Sequence, residues 1–131
     1  MPAMRIVDAK EVVWYGKDNF PYEVDTEIVG NSAFHHPGSD TEMQLFEVSF
    51  PPNHELEAHA HGADEIIYVL EGTVVLGARE LGVGSSVFIP GQTLYGLKAG
   101  PDGLRFLNFR ATQDLVYLNK DAFMAQRGGG A

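Results

Sequence analysis

The residues best suited to chemistry lie in one short stretch, between Glu57 and Glu65. His59 and His61 are two positions apart, and alternate residues of a strand point to the same face, so both imidazoles can reach one point in space. The residues that follow His61 can turn the chain and bring Glu65 close to both histidines. Two imidazoles and a carboxylate can hold a divalent metal ion on one side and leave coordination positions open for a substrate.

The type of metal depends on the ligands that the chain can offer. Because the sequence contains no cysteine, disulfides and thiolate ligands are excluded, and nitrogen and oxygen atoms must supply every bond to a metal. The predicted set of His59, His61 and Glu65 suits Fe(II), which we favour, and it also accommodates Mn, Ni, Co or Zn. The competing interpretation is that the two histidines form a solvated strand face.

Two other histidines are weaker candidates for the site. His36 and His54 lie beside the breaks Pro37-Gly38 and Pro51-Pro52, where loops are expected, so the sequence predicts surface positions for both. A histidine on a loop can nevertheless reach a metal that lacks a ligand. Either residue is therefore kept as a reserve ligand.

The elements that must position these residues are predicted to be strands. Short runs of Val, Ile, Leu, Phe and Tyr alternate with turns that contain glycine or proline, which is typical of β structure. Glu71-Gly72 is interpreted as a hairpin turn, and residues 99–103 as a loop. The predicted strands are Glu42–Phe50, Glu65–Leu70, Thr73–Arg79, Ser85–Ile89 and Leu104–Arg110, with a further candidate at Lys10–Tyr15.

A helical pattern is found near the C-terminus alone. The predicted helix spans Asn119–Arg127, and either Asn119 or Asp121 can cap its N-terminus. Gly128 follows the last periodic residue and is expected to end the helix. Residues 128–131 are predicted to be a disordered tail.

The chain is predicted to form one domain over residues 1–131, because no linker or internal repeat divides it and its length suffices for one hydrophobic core. The core of this domain is expected at about residues 40–112, where most of the predicted strands lie. Four phenylalanines are expected to pack inside it: Phe46, Phe88, Phe106 and Phe109.

The spacing of the candidate ligands resembles the first motif of the cupin family. His59-x-His61-x3-Glu65-x6-Gly72 matches four of the five fixed positions of that motif, and Asn53 stands where the family usually has glycine. The opening Gly-x5-Pro of the second cupin motif is met by residues 84–90. The resemblance implies an all-β fold, a double-stranded β-helix or jelly-roll cupin barrel, with a short C-terminal helix.

The second motif then departs from the family pattern. Gln92 stands at its usual glycine, Tyr95 at its histidine and Ala99 at its asparagine, so the family's usual fourth metal ligand is missing. A phenol can ligate a metal when it is deprotonated, although its unperturbed pKa is near 10. Tyr95 is therefore either a fourth ligand or a hydrogen-bond donor in the wall of the pocket.

The resemblance implies a metal-dependent enzyme that acts on a small oxygen-rich molecule, either as a dioxygenase or as a Lewis-acid isomerase, lyase or cyclase. Tyr95 and Glu57 are the candidate proton carriers, since Glu57 shares the strand parity of His59. The alternative is a module that binds or senses a small molecule without turning it over. In a further variant of this alternative, the metal site is degenerate and holds no metal. Family members commonly form homodimers, so a homodimer is expected as well.

The charge of the chain excludes some partners. Its 18 acidic and 9 basic residues give a formal charge of −9, and no stretch gathers Lys and Arg into a phosphate-binding stripe. We therefore expect neither a nucleic-acid partner nor attachment to an anionic membrane. Since the first ten residues do not resemble a secretory signal, the expected location is the cytoplasm.

Overall fold

Antiparallel strands make up about half of the computed structural model, which describes residues 3–21, 23, 27–113 and 118–129. A single turn of 3-10 helix at Ala9–Glu11 precedes the first strand. The strands are β1 (Trp14–Tyr15), β2 (Asn31–His36), β3 (Gln44–Phe50), β4 (Glu55–Ala60), β5 (Glu65–Leu76), β6 (Arg79–Leu81), β7 (Ser86–Ile89), β8 (Tyr95–Arg110) and β9 (Leu118–Asn119), and they are followed by the helix α1 (Lys120–Gly129).

Strand β8 organises the sheet, because its 16 residues pair with β3, β4 and β5. The C-terminal half of β8 lies between β3 and β5, and the N-terminal half pairs with β4. The order of the sheet is β1-β2-β3-β8-β4-β9, and β5 also pairs with β6 and β7. The predicted all-β architecture with a short C-terminal helix is confirmed. Within the described residues, that helix is too short and too polar to cross a membrane.

Alternation along the strands builds the core. In β5, Ile67 and Val69 are buried whereas Ile66 and Tyr68 between them are exposed, as expected when successive side chains point to opposite faces. The buried faces of β3, β5, β7 and β8 pack against one another. Their core members are Phe46, Val48, Ile67, Val69, Val74, Ile89, Leu97, Ala99, Leu104 and Phe106.

Three elements were located correctly from the sequence. They are the strands predicted at Glu42–Phe50 and Ser85–Ile89, which correspond to β3 and β7, and the C-terminal helix α1. Asn119 is the N-cap of α1, since its Oδ1 accepts a hydrogen bond from the backbone N–H of Ala122 at 2.8 Å. The helix ends at Gly129 rather than before Gly128. The remainder of the predicted tail, residues 130–131, lies outside the described residues.

The predicted hairpin turn at Glu71-Gly72 is wrong. Strand β5 continues through Gly72, which pairs with Leu104, and the register shifts on both sides of it. Gly72 has a φ of +73°, and a Cβ at this position would lie 2.0 Å from the carbonyl oxygen of Gly103. The glycine is therefore needed for a bulge and a close backbone approach, and the chain turns later, between Leu76 and β6.

Three other predictions from local sequence are also wrong. Residues 99–103 belong to β8 instead of forming a loop, because the strand stays paired with β5 around this stretch. His36 lies in β2, where it pairs with Leu45. Of the candidate strand Lys10–Tyr15, the last two residues alone are extended and paired.

Both positions at which the sequence lacks a cupin-motif glycine have a left-handed backbone. Asn53 has a φ of 62° and Gln92 a φ of 60°, and they are the non-glycine residues with positive φ among those that the structure describes. Asparagine tolerates this region because its short side chain can bond to nearby backbone groups, whereas glutamine gains no such compensation. The fold keeps the glycine conformation and accepts strain at Gln92.

Replacing Gln92 with glycine is therefore expected to stabilise the protein. Relief of the left-handed strain, about 1–2 kcal/mol, exceeds the entropy that glycine adds to the unfolded chain, about 0.5–1 kcal/mol, so Tm should rise by roughly 2–4 °C. Thermal unfolding followed by circular dichroism measures the change. Gln92→Ala is the matched control, because alanine retains the strain. A Gly variant no more stable than the Ala variant would contradict this account.

An apolar row lies on the outer side of the sheet. Phe88 of β7, Ile66 of β5 and Phe109 of β8 are neighbours across the three strands, and their exposed fractions are 60%, 42% and 36%. The expectation that Phe88 and Phe109 pack in the core is thus wrong, whereas Phe46 and Phe106 are buried. The homodimer stays a prediction.

Candidate functional site

A cavity of about 230 Å³ lies between the inner face of the sheet and the loop before β2. At ~30 Å³ per water molecule, this volume corresponds to about eight waters, so the cavity suits a small ligand. Most of its wall is aliphatic or aromatic. Its polar and titratable lining residues are Glu27, Ser32, His54, His59, His61, Tyr95, Asn108 and Arg110.

His59 lies near the end of β4 and is 1% exposed. Its Nδ1 is 2.8 Å from the carbonyl oxygen of Glu57, which can only accept, so Nδ1 carries the proton and donates it. Burial lowers the pKa of His59, and this effect outweighs the bond to Glu57 and the nearby carboxylates. A neutral ring with its lone pair on Nε2 follows, which is the form that binds a metal.

His61 and Tyr95 lie against His59. The ring centroids of His59 and His61 are 4.7 Å apart, and those of His59 and Tyr95 are 4.6 Å apart. The second contact arises because β4 pairs with β8, where Tyr95 is the partner of His59. The sheet thus brings together three side chains that the sequence places in two separate motifs.

Glu65 joins this group from the start of β5. Its side chain is 1% exposed, and it keeps two donors: the hydroxyl of Tyr95 donates to Oε1, and Nε of Arg110 donates to Oε2 at 3.0 Å. Glu65 and Arg110 are direct partners across the β5–β8 pair. A buried carboxylate needs such partners, because a charge without them is costly to bury.

Sequence reasoning missed Arg110, which lies in the centre of the site. Its Nε also donates to Oδ1 of Asn108 at 3.1 Å, its Nη2 lies 3.3 Å from Nε2 of His61, and the guanidinium stands 5.1 Å from the centre of the Phe46 ring. A signal was present in the sequence. Asn108 and Arg110 continue the parity of the buried Phe106 along one strand, and polar residues on a core-facing parity indicate a pocket.

Of the three remaining candidates, Glu57 and His36 lie outside the cavity wall and His54 lies in it. The side chain of Glu57 is exposed and is not part of the cavity wall, because β4 shifts register between Leu56 and His59 and breaks the parity expected from the sequence. His36 lies on β2, outside the cavity wall. His54 does line the cavity, contrary to the predicted surface position, and its ring packs against Phe50 at 4.7 Å.

A second and larger cavity, of about 620 Å³, lies near the N-terminus. Trp14, Lys17, Asp18 and Asn31 are among its lining residues. None of the histidines of the described chain contributes to its wall. The smaller cavity is the better candidate site, because titratable groups, including the candidate ligands His59 and His61, converge there.

Comparison with characterised proteins gives one similar sequence. No protein-family profile matches the chain. The dimethylsulfoniopropionate lyase DddW of Ruegeria pomeroyi is 36% identical over 69 residues, which cover 50% of this chain and 45% of DddW. The chain thus matches less than half of the length of that lyase.

Solved structures decide the fold. An RmlC-like cupin from Ralstonia eutropha JMP134 has a TM-score of 0.68 at 14% identity, over 98% of this chain and 87% of that chain. The chain adopts the cupin fold. This confirms the predicted barrel. The cupin fold is shared by the dimethylsulfoniopropionate lyase DddQ from Ruegeria pomeroyi DSS-3, which has a TM-score of 0.60 and 18% identity over 85% of this chain and 62% of DddQ.

The side chains of this protein with a cupin fold suit a divalent cation in their chemistry. His59 offers a neutral imidazole, Glu65 offers a carboxylate, and His61 lies beside both. In the described residues, however, no three His, Cys, Asp or Glu side chains stand in an arrangement that would hold a metal. The guanidinium of Arg110 contacts both Glu65 and His61. The metal role of these residues stays a prediction.

The buried His59 predicts a pH effect on the stability of the metal-free protein. Its folded pKa lies below the ordinary 6.5, so the unfolded chain binds the proton first and stability falls as the pH drops below about 6.5. One proton contributes at most about 1.4 kcal/mol per pH unit. With chelator present, denaturant unfolding between pH 5 and 7 should show a shallower decline for His59→Gln. Equal declines would show that His59 contributes nothing.

Proposed function

We propose that this cupin is a divalent-metal-dependent lyase that eliminates a leaving group from a small molecule carrying a carboxylate. The observation that carries the proposal is the meeting of His59, His61 and Tyr95 at one small cavity, with Glu65 bonded to the hydroxyl of Tyr95. The similarity to the lyase DddW favours elimination over the other reactions of the fold. Because the similarity covers half of the chain, both substrate and reaction belong to the proposal.

His59, His61 and Glu65 would hold the metal. When bound, the metal supplies Lewis acidity that polarises an oxygen of the substrate and makes the neighbouring C–H group more acidic. The neutral state of His59, fixed by burial and by its bond to the carbonyl of Glu57, suits this task. Open positions at such a three-ligand site leave room for the substrate.

Tyr95 is the proposed proton carrier. Its hydroxyl donates to Glu65, so the phenol proton already has a carboxylate acceptor, and the phenol oxygen can take a proton from the substrate. For dimethylsulfoniopropionate, the proton next to the carboxylate goes to the phenol oxygen of Tyr95 while the phenol's own proton passes to Oε1 of Glu65. The electron pair of that C–H bond forms the C=C bond, the C–S bond breaks, and dimethyl sulfide leaves with the C–S pair.

The cavity wall supports a carboxylate-bearing substrate. Arg110 is the sole Lys or Arg among the lining residues that the structure describes, and a guanidinium binds carboxylates through paired hydrogen bonds. The apolar part of the wall, including Phe46, Ile67 and Phe106, excludes water from the reacting atoms. Together these features favour a small anion or zwitterion.

The experiment is a substrate panel tested with and without metal. Purified protein loaded in turn with Fe(II), Mn(II), Ni(II), Co(II) and Zn(II) is incubated with dimethylsulfoniopropionate, uronates, dicarbonyls, catechols and short hydroxy acids, and products are identified by mass spectrometry. An unsaturated product that forms with metal and disappears with chelator is expected. Turnover that persists with chelator would contradict the proposal. Consumption of O2 would contradict the lyase reaction and favour an Fe(II) dioxygenase instead.

A binding module is the second candidate function. Two observations favour it: tyrosine stands at the position of the usual fourth ligand, and Arg110 already compensates the charge of Glu65. Such a module would be stabilised by one member of the panel without forming product, because a ligand selective for the folded state raises Tm by mass action. Product formation would count against this candidate.

A further inference from the structure

The guanidinium of Arg110 occupies the contacts that a metal would need. Its Nε donates to Oε2 of Glu65 at 3.0 Å, and its Nη2 lies 3.3 Å from Nε2 of His61. A metal bound by these two side chains would use lone pairs of the same carboxylate and imidazole. Arg110 and the metal therefore compete for one set of acceptors.

A second acceptor lies next to Arg110. Gln44 is the direct partner of Arg110 across the β3–β8 pair, so both side chains leave the same face of the sheet. Gln44 is 3% exposed; its Nε2 donates to the carbonyl of Pro37 at 3.0 Å, but its buried Oε1 has no hydrogen-bond partner among the described residues. A buried acceptor without a donor calls for an explanation. A guanidinium turned toward it would supply the donor.

Resting on the proposed metal site, we propose that Arg110 is a positioning residue that exchanges places with the metal. Without metal it bridges Glu65 and His61. When the metal binds, Arg110 leaves these two residues and donates to Oε1 of Gln44. The buried carboxylate of Glu65 thus has a cationic partner in both states, which keeps the metal-free fold intact at the expense of metal affinity.

The first test compares Zn(II) affinities by competition with a chromophoric chelator. Arg110→Gln should bind Zn(II) at least about tenfold more tightly than the wild type, because the competitor is gone. Arg105→Gln is the matched control: Arg105 lies on the same strand and bonds to Glu47 and Glu71, outside the site, so its loss should leave the affinity unchanged. Equal affinities for wild type and Arg110→Gln would overturn the exchange and leave the proposed metal site standing.

The second test separates exchange from the mere loss of a positive charge. Gln44→Leu removes the acceptor for the displaced guanidinium, so it should weaken Zn(II) binding in the wild type and have no effect in the Arg110→Gln background. The same effect of Gln44→Leu in both backgrounds would show that Gln44 does not receive Arg110, and the exchange would be refuted.

A third measurement is made on the wild-type protein, and a variant is used only to assign the NMR signal of Arg110. In wild-type protein labelled with 15N-arginine, the Nε–H signal of Arg110, identified by its loss in Arg110→Lys, should shift on addition of Zn(II), while that of Arg105 stays in place. An unmoved Arg110 signal at saturating Zn(II) would overturn the exchange. If Zn(II) binds to neither wild type nor Arg110→Gln, the proposed metal site itself fails, and the exchange fails with it.

Discussion

Tyr95→Phe is expected to lower turnover by about 10²–10⁴-fold while the metal content stays that of the wild type. Phenylalanine keeps the ring that packs against His59 and removes the hydroxyl that donates to Glu65. The substitution therefore removes the proposed proton-carrying hydroxyl and leaves the packing of the ring unchanged. Turnover of whichever panel substrate reacts, measured beside metal content, gives both quantities.

Tyr68→Phe is the matched control for this experiment, because Tyr68 lies on the outer face of β5 and is 41% exposed. It should keep full activity. If Tyr95→Phe loses its metal as well, Tyr95 is a ligand rather than a proton carrier. Wild-type turnover in Tyr95→Phe would contradict both roles.

Arg110→Met is expected to destabilise the metal-free protein by about 3–5 kcal/mol. The ion pair of Arg110 and Glu65 is buried, with exposed side-chain fractions of 12% and 1%, so the variant leaves a carboxylate inside the protein without its cationic partner. Denaturant unfolding in the presence of chelator measures the change in free energy.

Two comparisons test this physical reason. Arg105→Met breaks a pair with the exposed Glu71 and one with Glu47, which keeps His35 as a second partner at 2.8 Å, so it should cost much less. Removing both buried partners, as in Glu65→Leu combined with Arg110→Met, should recover part of the stability because no unpaired charge remains. Equal losses for Arg110→Met and Arg105→Met would show that burial of the pair is not the cause.

The local sequence predicted much of the candidate site, because its geometry depends on short-range spacing. The two-residue spacing of His59 and His61 at the end of β4 indicated that their rings meet, and the motif spacing added Glu65 and Tyr95. Arg110 and its contacts depend instead on the pairing of β5 with β8, 45 residues apart at the Arg110–Glu65 bond. Such a contact follows from the register of distant strands and cannot be derived from local patterns.

The errors in the fold have the same origin. A glycine with positive φ serves equally in a hairpin turn and in a bulge, and the pairing partner decides between them, as the contact of Gly72 with Gly103 demonstrates. The parity expected for Glu57 failed for a similar reason, since a register shift in β4 separates it from His59. The existence of strands was readable from the sequence, whereas their bulges were set by neighbouring strands.

The central claim is that His59 and His61 form part of a metal centre, and metal content tests it most directly. Elemental analysis of freshly purified wild type is run beside the His59→Ala/His61→Ala double variant, after circular dichroism has shown both to be folded. The account predicts near-stoichiometric metal in the wild type and none in the variant. Absence of metal from both proteins, even after incubation with Fe(II), Mn(II), Ni(II) and Zn(II), would contradict it.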